Sequence, residues 1–165
     1  METSTHTLNE RLKRLEPTTK ICGYCTDGKM EKINDSYFVS VFKENDRTNV
    51  IVYRSVKYNK IDVGVPRCTN CKSIHGIARN KAAIIGLILF ISIFGFAAYN
   101  FVEFNVILSV VLIFASVLLG IFGFAYLENK FSHNQGIYAL KEGANNNPMV
   151  QSLIKSGWTL TMPSA

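Results

Sequence analysis

Two stretches without a single charge constrain this chain more than anything else in it. Ala82–Tyr99 (AAIIGLILFISIFGFAAY) runs for eighteen residues, and Val106–Leu127 (VILSVVLIFASVLLGIFGFAYL) runs for twenty-two. At about 1.5 Å of rise per residue, both suit a hydrocarbon layer of about 30 Å, the first only just. Core helices of a small soluble domain carry a polar stripe, and neither stretch has one. The first begins about eighty residues into the chain, too late for a cleaved signal peptide. The expectation is a transmembrane hairpin, with helices 82–99 and 106–127.

The connection Asn100–Asn105 (NFVEFN) is short, so the helices are expected to be antiparallel neighbours. It holds no Lys or Arg, and Glu103 is read as a solvated residue at its tip. Arg67, Lys72, Arg79 and Lys81 precede the first span, and Lys130 and Lys141 follow the second. That bias predicts a multi-pass protein with two spans and both termini cytoplasmic.

Composition follows this division. Mean hydropathy is +0.14 and 48% of residues are hydrophobic, high for a soluble protein and modest for a polytopic one. Residues 1–81 hold 15 of the 18 Lys and Arg, so the basic character belongs to the head. Beside a membrane segment such charge sets topology and touches anionic lipid, which makes the bilayer the expected partner. A nucleic-acid partner is disfavoured, because no aromatic-basic binding module appears. Small residues recur on the spans: Ser109, Ser116, Gly120 and Gly123 on the second, and Gly86, Ser92 and Gly95 on the first. They are expected to pack the hairpin against itself, with a seam in a homo-oligomer as the alternative.

All four cysteines fall into two pairs, Cys22-Gly-Tyr-Cys25 and Cys68-Thr-Asn-Cys71. A C-x-x-C turn converges two thiolates on one metal, and two such turns complete a tetrahedral shell. This pattern, over about residues 20–75, resembles the zinc-ribbon class of domains, in which two knuckles flank a small antiparallel sheet. The resemblance implies a fold and a metal and singles out no narrower family. Between the knuckles, Tyr37–Lys43 and Val50–Tyr58 read as strands around the polar turn Glu44–Asn49, and Ile61–Val65 as a third strand. Structural Zn²⁺ on Cys22, Cys25, Cys68 and Cys71 is the leading reading. A rubredoxin-type iron site usually has glycine after each second cysteine, where Thr26 and Lys72 stand. Disulfides need an oxidising compartment, and a thioredoxin-like redox site needs a βαβ setting. His75, four residues after Cys71, is read as a neighbour of the site rather than a ligand.

The expected fold is therefore α+β: a small antiparallel zinc-ribbon head (20–78), the transmembrane hairpin (82–127), and a cytoplasmic C-terminal segment (128–165) with a short helix, 148–156. Residues 1–19 are expected to be a helical extension, with Leu8, Leu12 and Leu15 on one face of Thr7–Glu16 and a stop at Pro17. Gln135–Lys141 is read as prolonging the second span, and Glu142–Asn147 as a loop. Asn147-Pro148 signals a helix start, Met149, Val150, Leu153 and Ile154 form an apolar face, and Gly157 ends the helix. That face must dock, and the head is its expected seat.

No G-x-S-x-G, P-loop or H-E-x-x-H occurs, and no nucleophile is paired by motif with His6 or His133. The expectation is a non-enzymatic membrane protein without an evident small-molecule substrate. Its zinc head would make protein–protein contacts, as an adaptor or as a subunit of a membrane assembly. The runner-up is an oligomeric pore-forming or membrane-disrupting effector with the head as sensor.

Overall fold

The computed structural model describes residues 5–50, 53–103 and 106–164. Four strands and four α-helices follow one another: β1 (His6–Asn9), β2 (Arg14–Pro17), β3 (Tyr37–Val50), β4 (Tyr53–Val65), α1 (Thr69–Glu103), α2 (Val106–Asn134), α3 (Leu140–Asn145) and α4 (Pro148–Lys155). They form two compact units. One joins Met1–Lys72 with Leu140–Ala165, and the other is Ser73–Ala139. The head thus takes in both ends of the chain, a wider unit than the expected 20–78.

In the head the sheet order is β1-β2-β4-β3. β3 and β4 are antiparallel from Tyr37↔Val65 to Val50↔Tyr53, with a register shift between Glu44 and Asp46. The expected turn at Glu44–Asn49 lies inside β3, and the expected third strand, Ile61–Val65, is the end of β4. Beyond Phe42, β3 is exposed on both faces through Thr48, so no apolar alternation was there to mark residues 44–48 as strand. Nearer the knuckles the alternation is plain. Val41, Val63 and Val65 are fully buried on one face of the ladder, each worth about 1.5–3 kcal/mol relative to exposure.

Residues 1–19 form no helix among the described residues. β1 pairs antiparallel with β2, from His6↔Pro17 to Asn9↔Arg14, and β2 pairs in parallel with β4 at Arg14↔Asp62 and Leu15↔Val63. The sheet is therefore mixed rather than wholly antiparallel. A two-turn helix is marginal in water. The leucine stripe that suggested one is not a core face, since Leu8 and Leu12 are 56% and 45% exposed. Instead His6 is buried, its Nε2 2.8 Å from the Gly64 carbonyl oxygen and its Nδ1 3.0 Å from Thr5 Oγ1. The Arg14 guanidinium lies 4.3 Å over the Phe38 ring and is paired with Glu16. Gly64 permits this close packing. A Cβ there would stand 2.8 Å from Pro17 Cδ, 2.9 Å from the Phe38 ring and 3.1 Å from the Leu15 carbonyl oxygen.

The C-terminal segment completes the head. Thr159 and Phe42 exchange backbone hydrogen bonds of 2.8 and 2.7 Å, which covers the outer edge of β3 at that point. Asn147 caps α4, its Oδ1 accepting from the Met149 and Val150 N–H groups at 3.0 and 3.3 Å. Gly157, at φ +88°, ends that helix, with the Trp158 N–H reaching back to the Leu153 carbonyl at 3.1 Å. Val150 is buried and Met149, Leu153 and Ile154 are half-buried, so the apolar face is docked. The expected loop at 142–147 is largely α3.

In the second unit α1 and α2 are longer than the apolar runs that mark them. α1 begins thirteen residues before Ala82 and continues through Glu103, which turns most of the expected connection into helix; residues 104–105 lie outside the described residues. α2 ends at Asn134 rather than running on to Lys141, because Gly136 (φ +71°) turns the chain, with the Ile137 N–H closing on the Ser132 carbonyl. Two segments, Thr69–Tyr99 and Val110–Asn134, are long and apolar enough to cross a membrane. Only 11% and 6% of their most apolar windows is buried, unlike core helices of a soluble fold.

Among the described residues, the close approach expected at the glycines is not made. A Cβ added at Gly86, Gly95, Gly120 or Gly123 would meet nothing within 4 Å. Gly86 and Gly120 instead line an open apolar groove of about 540 Å³ with Phe90 and Phe124.

Two outcomes follow for the head. Gly64→Ala should cost about 1–3 kcal/mol, read as a lower unfolding midpoint of the purified protein, since backbone as well as side chains must yield. Burial lowers the pKa of His6 below its ordinary 6.5, opposed by the Gly64 hydrogen bond. The unfolded chain then takes up the proton first, so stability present above 6.5 is lost as pH falls towards the lower native value. His6→Gln should flatten that acid-side loss in thermal melts recorded across pH.

Candidate metal centre

The first knuckle is a short hairpin. Ile21 bridges Lys29, the Cys22 N–H donates to the Gly28 carbonyl at 2.9 Å, and the Met30 N–H donates to the Lys20 carbonyl at 2.7 Å. Its closure requires glycine at 28. A Cβ there would stand 2.5 Å from Cys25 Sγ and 2.9 Å from Cys68 Sγ, inside the space the sulfurs need.

The second knuckle is the start of a helix. Cys68 immediately precedes α1, its carbonyl accepts the Lys72 N–H at 3.0 Å, and its Sγ accepts the Cys71 N–H at 3.3 Å. A cysteine sulfur thus takes the part that Ser or Asp usually plays at a helix start. The amide end of α1 faces the sulfur cluster, an arrangement that favours negative charge there. The knuckles are joined directly: Gly23 N–H donates to the Pro66 carbonyl at 2.9 Å, and Cys68 N–H to Cys22 Sγ at 3.4 Å.

The structure brings together all four predicted ligands. The sulfurs of Cys22, Cys25, Cys68 and Cys71 all lie within 4.8 Å of one another. Cys22 and Cys71 are separated by 3.8 Å between sulfurs, and Cys25 and Cys68 by 3.9 Å. Tetrahedral Zn²⁺ with bonds of about 2.3 Å needs sulfur–sulfur edges of about 3.8 Å. The donor set therefore fits a metal ion, and the cysteines are not joined as disulfides. Cys22, Cys68 and Cys71 are buried and Cys25 is partly exposed. Four thiolates in one buried pocket would repel one another strongly, and a divalent cation halves their charge. Burial pushes the Cys71 and Cys25 thiols up from their ordinary value, with the adjoining Cys68 and Cys22 sulfurs adding to it. Burial also acts upwards on Cys22, but backbone N–H groups, first that of Cys68, bring it below.

His75 is not among the convergent donors. It is buried, and its Nε2 lies 2.9 Å from the Tyr138 carbonyl oxygen.

Two further residues, Asp35 and Tyr24, shape the site without a motif to announce them. Asp35, buried on a 3₁₀ turn (Ile33–Asp35), binds Lys72 Nζ at 2.7 Å and accepts from Thr69 Oγ1 at 3.4 Å, while Arg67 Nε donates to its carbonyl at 3.0 Å. Those three residues flank Cys68 and Cys71, so Asp35, through its carboxylate and its backbone carbonyl, steadies the whole second knuckle. The Lys72 ammonium holds that carboxyl below its usual range. Tyr24, between the first two cysteines, is fully buried, and its hydroxyl donates to the Leu140 carbonyl at 3.4 Å. Its ring fills the space beside Gly143, where a Cβ would overlap it. Tyr24 thereby ties the first knuckle to α3. Gly28 had a sequence signal in its spacing, three residues after Cys25; Asp35 and Tyr24 had none.

Comparison with protein-family models, curated proteins and solved structures finds no match in any of the three.

Gly28→Ala should weaken metal retention by about 10–100-fold, measured by competition with a chromogenic chelator. Gly76→Ala, where an added Cβ meets nothing within 4 Å, should leave retention unchanged.

Proposed function

We propose that the chain is a non-enzymatic integral membrane protein whose structural zinc centre holds a cytoplasmic head for protein–protein contacts. The observation that carries this reading is the closed set of four convergent thiols, standing just before two exposed apolar helices. A zinc ion ligated by Cys22, Cys25, Cys68 and Cys71 has no open position for water or substrate, so it supplies fold stability rather than Lewis-acid chemistry. Zinc is favoured over iron by the residues that follow the second cysteine of each pair, Thr26 and Lys72.

Placing both ends in the cytoplasm rests on the cations that flank the spans and on the Lys-free, Arg-free segment between them. The assembly role is supported by the groove at Gly86 and Gly120. A soluble protein does not leave Phe114 and Phe122 68% and 70% exposed along one helix, and in a bilayer only lipid or another helix covers such a surface. The serines do not favour a conducting wall. Ser92 Oγ donates to the Ile88 carbonyl at 2.9 Å and Ser116 Oγ to the Ile113 carbonyl at 2.7 Å, so both hydroxyls are spent within their own helices.

The whole protein should resist alkaline carbonate extraction from membranes and carry about one zinc per chain. A cysteine placed at residue 100 should react with an impermeant thiol reagent from the outer side. A soluble, metal-free product would overturn the reading, and ion leakage through an oligomer would replace it with the pore-forming effector.

A further inference from the structure

Where α1 and α2 turn polar, they enclose a second cavity of about 260 Å³ within their own unit. Its polar lining is Lys81 on α1 and Asn134 and Gln135 at the end of α2; its apolar lining includes Ile74, Ile77 and Phe131. No carboxylate lines it. Among the described residues, neither the Lys81 ammonium nor the two amides has a side-chain partner. An ammonium with three N–H donors and two amides with two each make a site for an anion, and the amide oxygens remain to accept hydroxyls.

The location specifies the anion further. Lys81 is the last charge before the uncharged run that begins at Ala82, and Phe131 lies four residues beyond the end of the second run at Leu127. At about 1.5 Å per residue, the cavity lies within about 12 Å of the apolar boundary on both helices. In a bilayer that depth is the headgroup layer. A free anion needs no apolar wall, but a phosphodiester on glycerol does. A volume of about 260 Å³ admits a headgroup, while the acyl chains would lie along the spans. Basic pockets between membrane helices on the cytoplasmic side are the usual seats of anionic headgroups.

We propose that this cavity binds the phosphodiester headgroup of an anionic phospholipid, with Lys81 as its cation and Asn134 and Gln135 as its amide donors. The inference rests on the membrane reading above. Lys130, a cation on α2 at this level, is directed elsewhere, its Nζ lying 5.8 Å from the Tyr126 ring.

The test uses the full chain in vesicles of equal phosphatidylcholine and phosphatidylglycerol, extracted with mild detergent, with retained lipid counted by native mass spectrometry. The wild type should retain phosphatidylglycerol about fivefold over phosphatidylcholine. Lys81→Gln should bring the ratio close to one, and Lys130→Gln should leave it unchanged. Both positions are exposed, and equal metal content shows that each variant is folded. An even ratio in the wild type, or an unchanged preference in Lys81→Gln, overturns the proposal. Inorganic phosphate that binds the detergent-solubilised wild type but not Lys81→Gln, with no lipid preference, replaces the headgroup with a soluble phosphate. Carbonate extraction of the same vesicles separates the two failures. A chain that is stripped from the membrane sinks the membrane reading and the lipid source together, whereas a retained chain without preference sinks this inference alone.

Discussion

Convergence of four sulfurs from two places in the sequence is the constraint on which the head depends. The knuckles are separated by forty-two residues, and nearly all of that interval is occupied in making the convergence possible. β3 and β4 carry the chain out and back, and their register returns Val65 beside Tyr37, so that Pro66 meets Gly23. Asp35 fixes the second knuckle from the side, and Tyr24 passes the position of the first one on to α3. A small domain of this size buries too little surface to be secure on its core alone. Metal binding adds its free energy directly to folding in such a case.

The four clustered cysteines were legible because their chemistry permits few substitutes: paired cysteines at C-x-x-C spacing have a geometric meaning by themselves. The α4 helix was equally legible, since Asn147, Pro148 and Gly157 each act through local backbone constraints that need no partner. The two long apolar helices were visible for the opposite reason, an absence of charge over a length that suits a membrane crossing. Misreadings arose where long-range contacts decide. The Thr7–Glu16 segment has a leucine spacing that suits a helix, but His6 bonded to Gly64 and Arg14 beside Phe38 hold it as two strands. The Glu44–Asn49 segment looks like a turn by composition, yet it is an exposed strand with an Arg47–Glu44 pair on its surface. The early start of α1 was present in the sequence as Ile74, Ile77 and Ala78, spaced for one helical face, but the knuckle drew attention away from it.

The small residues of α1 and α2 illustrate a different limit. Glycines at helical spacing say that a backbone can be approached closely, not by what. In this chain Gly86 and Gly120 open onto a groove rather than onto the neighbouring helix. Among the described residues of this unit, the fully buried small positions are Ala82, Ala97, Ser116 and Ser132. An alanine or a serine that binds its own helix backbone fills such a position without leaving a polar group unpaired.

The pairing of Thr159 with Phe42 has a consequence for how the molecule is made. Chains emerge from the ribosome amino end first, and domains tend to fold as they appear. Both knuckles and all of β3 are out before the first apolar span, whereas Thr159 follows only after the second. The head therefore reaches its final form in two instalments, divided by the synthesis of α1 and α2. In the interval the outer edge of β3 at Phe42 is a bare strand edge, open to any other strand that reaches it first. Charged residues crowd the ribbon just beyond, with Lys43, Glu44, Asp46 and Arg47 in succession around a register shift. That is how natural sheets discourage unwanted partners, and here it protects an edge during the one period when its own partner has not yet been synthesised.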